Sequence, residues 1–368
     1  MRVFQSFSVL TMFALVSYCS AQTIKHKFIA IDESRDSLVF TDENNPSKNW
    51  SVKIEKSRDI QLVGNNRVML SNGNGFAEYD LTTHLKVRDL KPAGTGSVQS
   101  CRRLPNGRTL LVAEGTTIWT VDSAGVIKKT VNIPNMSTFR CMRITAQNTY
   151  LLGSGNELVE TDTNGTILKR SSISGANSMY MAVRMPDKRT FLSGGYGQFV
   201  AILDSAWTVK KRIGGTSPTG YRYNFFAGFQ VLTNGHVVVT NWLGHGFNDG
   251  ANGIGLIEYD TAGAIVWNWM DHARVSSLHA VIVLDGLDTA VLNDDRNGTI
   301  GPVGGATGVV PKRAYKTGPR QTSIKGRTPF FQCAFAGRQL KPSREFSIHG
   351  KRLSGGIRSA PTMKISLQ

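Results

Sequence analysis

The chain has 368 residues, with 43 Lys and Arg against 26 Asp and Glu, a net charge of +17, and four cysteines. Three cysteines follow the N-terminal leader, an odd number that excludes a fully paired intramolecular disulfide framework. No stretch after that leader approaches the roughly 20 apolar residues a membrane span requires, and no spacing of Cys and His fits a structural zinc site.

Residues 1–21 combine Arg2, an apolar run from Val9 to Tyr18, and small residues Ser20 and Ala21 ahead of Gln22. This pattern predicts a secretory signal peptide cleaved after Ala21, hence an exported, soluble mature chain. Most of the net charge lies at the other end. Residues 303–368 hold 13 Lys and Arg and the single acid Glu345, so residues 22–302 are close to balanced. A segment of one sign favours anionic partners or surfaces, and nucleic acid is the weakest such partner for an exported chain.

Between these ends an aspartate recurs where an apolar strand meets a turn: Asp42, Asp80, Asp122, Asp162, Asp204 and Asp260. A recurrence of about 40 residues marks stacked supersecondary units, none of which can bury its apolar faces alone. Each unit reads as four short strands separated by turn residues, an antiparallel meander. Asp at the first and Gly at the fourth position, as in Asp122 to Gly125, fits a type I turn between third and fourth strands. The six aspartates are therefore assigned to turns and not to a metal or a catalytic site.

Innermost strands are expected around Ile60, Cys101, Cys141, Ala182, Phe229 and Val281. The first outer pair (Ser37 to Thr41, Trp50 to Ile54) precedes any innermost strand, and the last innermost strand lacks an outer pair. The two ends of the array would thus complete one blade together. The expected fold is an all-β, six-bladed β-propeller over residues 22–302, then a Gly-, Pro- and Lys/Arg-rich linker (303–330) and a basic segment (331–368). Both Phe28 to Ile31 and Thr289 to Leu292 look like second strands, which leaves a seven-bladed reading open. Cys101 and Cys141 occupy matching places in adjacent blades and are expected to be buried thiols, with a disulfide as the alternative.

Insertions into a repeat array fall in loops, and loops on a rigid scaffold carry function. Between Asp204 and Asp260 the period stretches to 56 residues. The surplus falls at 214–224, between blades, and at 241–253, between second and third strands, two connections that emerge on the same face. The candidate ligand-binding residues are Tyr221, Arg222 and Tyr223 in the first loop; Asn241, Trp242, His245 and Asp249 in the second; Asp271 and His272 at the next junction; and His279 on the following innermost strand. Aromatic bodies beside a few His, Asp and Arg side chains are the lining of a small-molecule or sugar site. His236, after the Asn234-Gly235 turn, should emerge on the opposite face. Trp50, Trp267 and Trp269 are expected to pack between blades. Asp271 and His272 could act as orienting acid and base only if a loop let both side chains face one way. The glycines from Gly244 to Gly255 lack the strand-to-helix setting of a phosphate loop.

The segment Asp260-Thr261-Ala262-Gly263-Ala264-Ile265-Val266-Trp267, with Asn241-Trp242-Leu243-Gly244-His245-Gly246 and Asp271-His272, resembles the repeat of quinoprotein-like and arylsulfotransferase-like secreted bacterial propellers. The resemblance covers about residues 26 to 300 and implies fold more than chemistry. Quinoprotein dehydrogenases repeat the tryptophan in every blade, and some carry a vicinal cysteine pair. Here two units carry it and no Cys-Cys occurs, so the resemblance assigns no cofactor. Glu345 to Leu353 and Met363 to Leu367 resemble the C-terminal sorting module of proteins exported by type IX secretion, with Ser347 where an aspartate is common. The leading functional expectation is a secreted propeller that binds carbohydrate or another cell-surface polymer on the insertion face. The alternatives are an enzyme, either a quinoprotein-like oxidoreductase or a His-dependent transferase or lyase, and a protein-interaction scaffold.

Overall fold

A computed structural model describes residues 23–303 apart from residue 252. The expected signal peptide, the basic linker and tail beyond residue 303, the sorting-module resemblance and Cys333 lie outside the described residues.

Six blades, each a four-stranded antiparallel meander, form the ring, and one of their sheets is extended to six strands by a C-proximal hairpin. Blade 1 contains β1 (Lys27–Asp32), β2 (Ser37–Asp42) and β3 (Trp50–Lys53), and blade 2 contains β4 (Ile60–Gly64), β5 (Arg67–Asn72), β6 (Gly75–Asp80) and β7 (Lys86–Leu90). Blade 3 contains β8 (Val98–Arg103), β9 (Thr109–Ala113), β10 (Thr117–Val121) and β11 (Ile127–Asn132). Blade 4 contains β12 (Arg143–Ile144), β13 (Tyr150–Ser154), β14 (Glu157–Thr161) and β15 (Ile167–Ser172). Blade 5 contains β16 (Ala182–Arg184), β17 (Thr190–Ser193), β18 (Phe199–Leu203) and β19 (Val209–Gly214). Blade 6 contains β20 (Phe225–Val231), β21 (Val237–Trp242), β22 (Leu256–Tyr259) and β23 (Ile265–Trp269). The innermost strand of blade 1 is β24 (Leu278–Val283), which pairs antiparallel with β1 in register Phe28–Val283. The N-proximal and C-proximal segments therefore share one sheet, and the ring has no open edge at the closure.

The count of six resolves the surplus strand. Thr289 to Leu292 is not a second strand: it runs along the end of blade 2, where Asn65 and Asn66 N–H donate to the Ala290 and Thr289 carbonyls. It leads into a hairpin, β25 (Asn293–Asn297) and β26 (Thr299–Pro302), and β26 joins blade 6 in parallel at Val231–Thr299.

Six apolar clusters lie between the blades, one at each junction. The three inner strands of each blade supply them from both faces, which is why those strands read as near-continuous apolar runs. The outermost strands alternate instead: β15 runs partly buried, exposed, partly buried along its whole length. Their exposed positions carry Lys and Arg, which blunt an edge against pairing with another chain. Several reach the next blade: Lys129, Lys169 and Lys211 Nζ donate to the Thr163, Ser205 and Thr261 carbonyls at 2.7–2.8 Å, and Arg88 donates to Ser123 O.

The aspartates behave as turn residues. Asp122 Oδ1 accepts N–H bonds from Ala124 and Val126, both 2.9 Å, and Gly125 N–H returns to the Asp122 carbonyl. Gly125 sits at φ 85°, a conformation free of steric cost only without a Cβ, and the ladder slips by one residue there. The tryptophans pack between blades: Trp50 stacks on Phe40 and on His84 of blade 2, and Trp267 Nε1 donates to Glu43 in blade 1.

Candidate functional site

The connections between blades and the turns between second and third strands emerge on one face, and residues at or next to the strand ends there converge on the axis. Glu33 comes from the β1–β2 turn, Arg58 from the entry to blade 2, Gln99 from the start of blade 3 and Cys141 from that of blade 4. Tyr180 enters blade 5, Phe225 opens blade 6, Trp242 ends β21 and His279 begins β24. This polar ring around an aromatic wall is the mouth of the central channel.

Glu33 organises it. Its side chain is fully buried, and Oε2 accepts from Trp242 Nε1 at 2.9 Å and His245 Nδ1 at 3.0 Å. Oε1 accepts from Arg58 Nη2 at 2.9 Å and Nε at 3.2 Å, with Lys56 Nζ at 3.2 Å. Burial opposes ionisation of Glu33, but the Arg58 guanidinium and the Trp242 N–H bonded to it hold its carboxyl below the ordinary carboxylate range. Arg58 Nη1 continues to Gln99 Oε1 at 2.7 Å. Beside this chain a polar cleft of about 190 Å³, lined by Lys56, Arg58, Ser71, Ser97, Gln99 and Glu114, opens on the same face between blades 2 and 3.

At the floor the Tyr180 hydroxyl donates to the Arg58 carbonyl at 2.6 Å and meets His279 Nδ1 at 2.7 Å. Burial pushes His279 down to about 3, with the Glu33 charge opposing and Arg58 and Arg140 assisting, so it is neutral at physiological pH. Burial also raises the Tyr180 phenol and lifts the Cys141 thiol to about 12. Cys101 and Cys141 are free and buried, as the sequence suggested.

Below the floor the channel is filled. Asp59 accepts from Arg102 Nη2 and Arg143 Nη2, each at 2.9 Å, and Arg143 Nε meets Asp295 of the β25–β26 hairpin at 2.7 Å. The axial cavity lined by Ile60, Arg102, Arg143 and Asp295 measures about 20 Å³, room for about one water and none for a quinone cofactor. Among the described residues no group of three or more His, Cys, Asp or Glu is placed to hold a metal ion.

Of the candidate residues, the structure brings together Trp242, His245 and His279: the indole lies edge-on to both imidazoles, at 4.6 Å from His245 and 5.8 Å from His279. Asn241 is a buried staple, donating to the Arg222 and Ile254 carbonyls and accepting from Asn224 N–H, which ties the two insertions to each other. The remaining candidates do not line the mouth. Tyr223 OH bonds Tyr259 OH at 2.6 Å and Tyr221 OH accepts from Asn268, so loop 214–224 folds outward onto the outer strands of blade 6. Arg222 is exposed. Asp249 caps Gly246 N–H within its own loop, and Asp271 caps Ala273 and Arg274. His272 is exposed, and its carbonyl accepts from Arg35; no Asp271–His272 pairing forms.

Loop 241–253 leans on blade 1. Leu243 N–H donates to Ser277 Oγ at 2.6 Å, Ser34 Oγ to Gly244 O at 2.6 Å, and Gly250 N–H to Ser276 Oγ at 3.1 Å. A Cβ on Gly250 would lie 1.7 Å from the Ser276 carbonyl, so only glycine permits that approach. Sequence reasoning missed Glu33, Arg58 and Tyr180, which lie in connections of normal length, and Gln99 near the start of β8; for Arg58 and Tyr180 the detectable signal was a charged or phenolic residue just before an innermost strand. On the opposite face His236 and His26 share Glu258, both at 2.7 Å, and His26 also bonds Asp285 at 2.6 Å, joining blade 6 to the strand that closes the ring.

No protein-family model and no curated protein matches the chain. Among solved structures it is similar to a Bacteroides caccae protein of unknown function, at 17% identity and TM-score 0.59 over 70% of this chain and 98% of that one. It is also similar to a chain of the nidogen/laminin complex, at 9% identity and TM-score 0.51 over 69% and 97%. A virginiamycin B lyase from Staphylococcus aureus aligns at 11% identity and TM-score 0.47, over 68% and 85%. The first two likenesses bear on the fold alone, and one fold serves ligand binding, scaffolding and enzymes alike.

Proposed function

We propose that the protein is an exported ligand-binding propeller that takes carbohydrate or another cell-surface polymer at the channel mouth. The observation that carries this reading is the pairing of exposed rings with a buried polar floor. Tyr196 and Phe247 are 47% and 63% exposed at the rim, Tyr196 packs edge-on against Phe225, and Phe247 is braced by the Arg35 guanidinium 4.6 Å from its centroid. Ring faces held rigid beside hydrogen-bonding groups suit the alternately apolar and hydroxylated faces of a sugar. The test is retention on immobilised polysaccharides: Tyr196→Ala and Phe247→Ala should weaken retention, while Asn234→Ala on the opposite face should not. Equal retention of all three would refute the mouth as the binding face.

A second reading, a His-dependent transferase or lyase, is favoured by His245. Its Nδ1 donates to the buried Glu33 carboxylate while the side chain is 62% exposed. That pairing fixes the proton on Nδ1 and leaves Nε2 as the basic atom, the arrangement of a general base oriented by a carboxylate. Turnover abolished in His245→Gln, with polysaccharide retention kept, would favour this reading.

A further inference from the structure

The cleft between blades 2 and 3 shares Lys56 and Arg58 with the mouth, where both hold Glu33. Mouth and cleft are therefore continuous. Gln99 shapes the cleft wall. Val98 pairs with Ala113 and Ser100 with Val112, so Gln99 is the extra residue of a bulge in β8, a device that re-aims a side chain out of the alternating pattern. Gln99 is 6% exposed and lines the cleft, and its Oε1 accepts from Arg58 Nη1 at 2.7 Å. With the oxygen fixed there, the two N–H donors of the amide stand at its other corner.

Arg58 adds to them. Nε and Nη2 each give one proton to Glu33 and Nη1 gives one to Gln99, so among the described residues three of the five guanidinium N–H groups are engaged and two remain. Glu114 is the first residue after β9, exposed, with its N–H on the Ser97 carbonyl at 2.7 Å, and it brings an acceptor to the same cleft. Val98 brings an apolar side chain. We propose that this cleft is a subsite for an acetamido sugar, whose carbonyl accepts from Gln99 and Arg58, whose amide N–H donates to Glu114 and whose methyl lies on Val98. An acetamido group carries an acceptor, a donor and a small apolar end on one rigid plane, and a hydroxyl lacks the third. The cleft volume of about 190 Å³ is the space of about six waters, room for one sugar unit. The inference rests on the carbohydrate reading above and names the unit selected beside the mouth.

Fully N-acetylated chitotriose and cellotriose share one β-1,4 glucan backbone and differ only in the group at C2. Calorimetric titration of the full chain should show chitotriose bound about tenfold more tightly than cellotriose. Gln99→Glu, which still accepts from Arg58 but donates nothing, should remove that preference, and Glu114→Ala, a surface change, should reduce it severalfold. Equal binding of the two sugars by the wild-type protein, or a preference that survives in folded Gln99→Glu and in Glu114→Ala, overturns the subsite. If neither trisaccharide binds while a polysaccharide is retained through Tyr196 and Phe247, the subsite fails and the mouth reading stands. If the Gln99-dependent preference holds while Tyr196→Ala and Phe247→Ala retain polysaccharide as the wild type does, the subsite stands and the rim proposed above fails.

Discussion

The Tyr180 hydroxyl and His279 Nδ1 lie 2.7 Å apart, although one enters blade 5 and the other begins the innermost strand of blade 1. The bond crosses the channel and closes it. Its direction follows from the third partner: the Arg58 carbonyl, 2.6 Å from the same hydroxyl, can only accept. The phenol proton goes there, so His279 donates from Nδ1 and carries its neutral proton on that nitrogen. Three blades are thus coupled by one hydroxyl, and the floor of the mouth is rigid before any ligand arrives.

Tyr180→Phe should leave the fold intact and destabilise it by about 1–3 kcal/mol, because the His279 N–H and the Arg58 carbonyl lose a buried partner. Urea unfolding measures the loss, and nitrogen-15 spectra of the His279 ring should show the tautomer no longer held at Nδ1.

Glu33→Gln keeps shape but removes the charge facing Arg58 and Lys56. Breaking a buried pair on one side leaves an uncompensated cation, at a cost of about 3–5 kcal/mol. Urea unfolding measures the loss.

The seam between blades 6 and 1 should weaken in alkali. Burial alone would lower His26, but its bonds to Asp285 and Glu258 outweigh that and hold it up at about 9, against 6.5 unperturbed. A raised value means the folded state keeps a proton that the unfolded chain releases. The stabilisation is complete below pH 6.5 and is lost as pH rises through 9. Stability should fall by on the order of 2 kcal/mol across that window, and His26→Gln should flatten the fall.

On the acid side both groups at the mouth act in one direction. His279, lowered to about 3, and Glu33, held below the ordinary carboxylate range, take up protons more readily in the unfolded chain. Stability should decline as pH drops from 6.5 towards 2, and His279→Phe should remove the upper part of that decline.

Cys101 and Cys141 should resist alkylation at pH 8 in the native protein and react once it is unfolded, since burial keeps both as thiols. Modification of the native protein at the rate of a free thiol would contradict the closed floor.

Much of the fold was legible because it is written locally. The Asp turns are short-range hydrogen-bond patterns, and strands such as Thr109–Ala113 and Glu157–Thr161 declare themselves by composition within five residues. The closure was legible too, since the unpaired outer strands at one end and β24 at the other complement each other. The grouping of the candidate residues was only partly legible. Insertion length singled out Trp242 and His245 and the innermost strand His279, and these three lie together. Insertion length also singled out Tyr221 and Tyr223, which lie apart from them, their hydroxyls on Asn268 and Tyr259 of the outer strands of blade 6. Glu33 and Tyr180 stood in connections of ordinary length, and only the ring brings residues 33, 58, 180 and 279 to one axis. The hairpin over residues 293–302 was hidden because its burial depends on Asp295 reaching Arg143 from another blade.

Hydrogen exchange with and without a retained polysaccharide tests the mouth most directly. Protection should concentrate at residues 56–58, 194–198 and 241–249, with no change over residues 284–302 beneath the channel. Protection confined to the lower face, or to the outer strands of blade 6 around Tyr221 and Asn268, would contradict it.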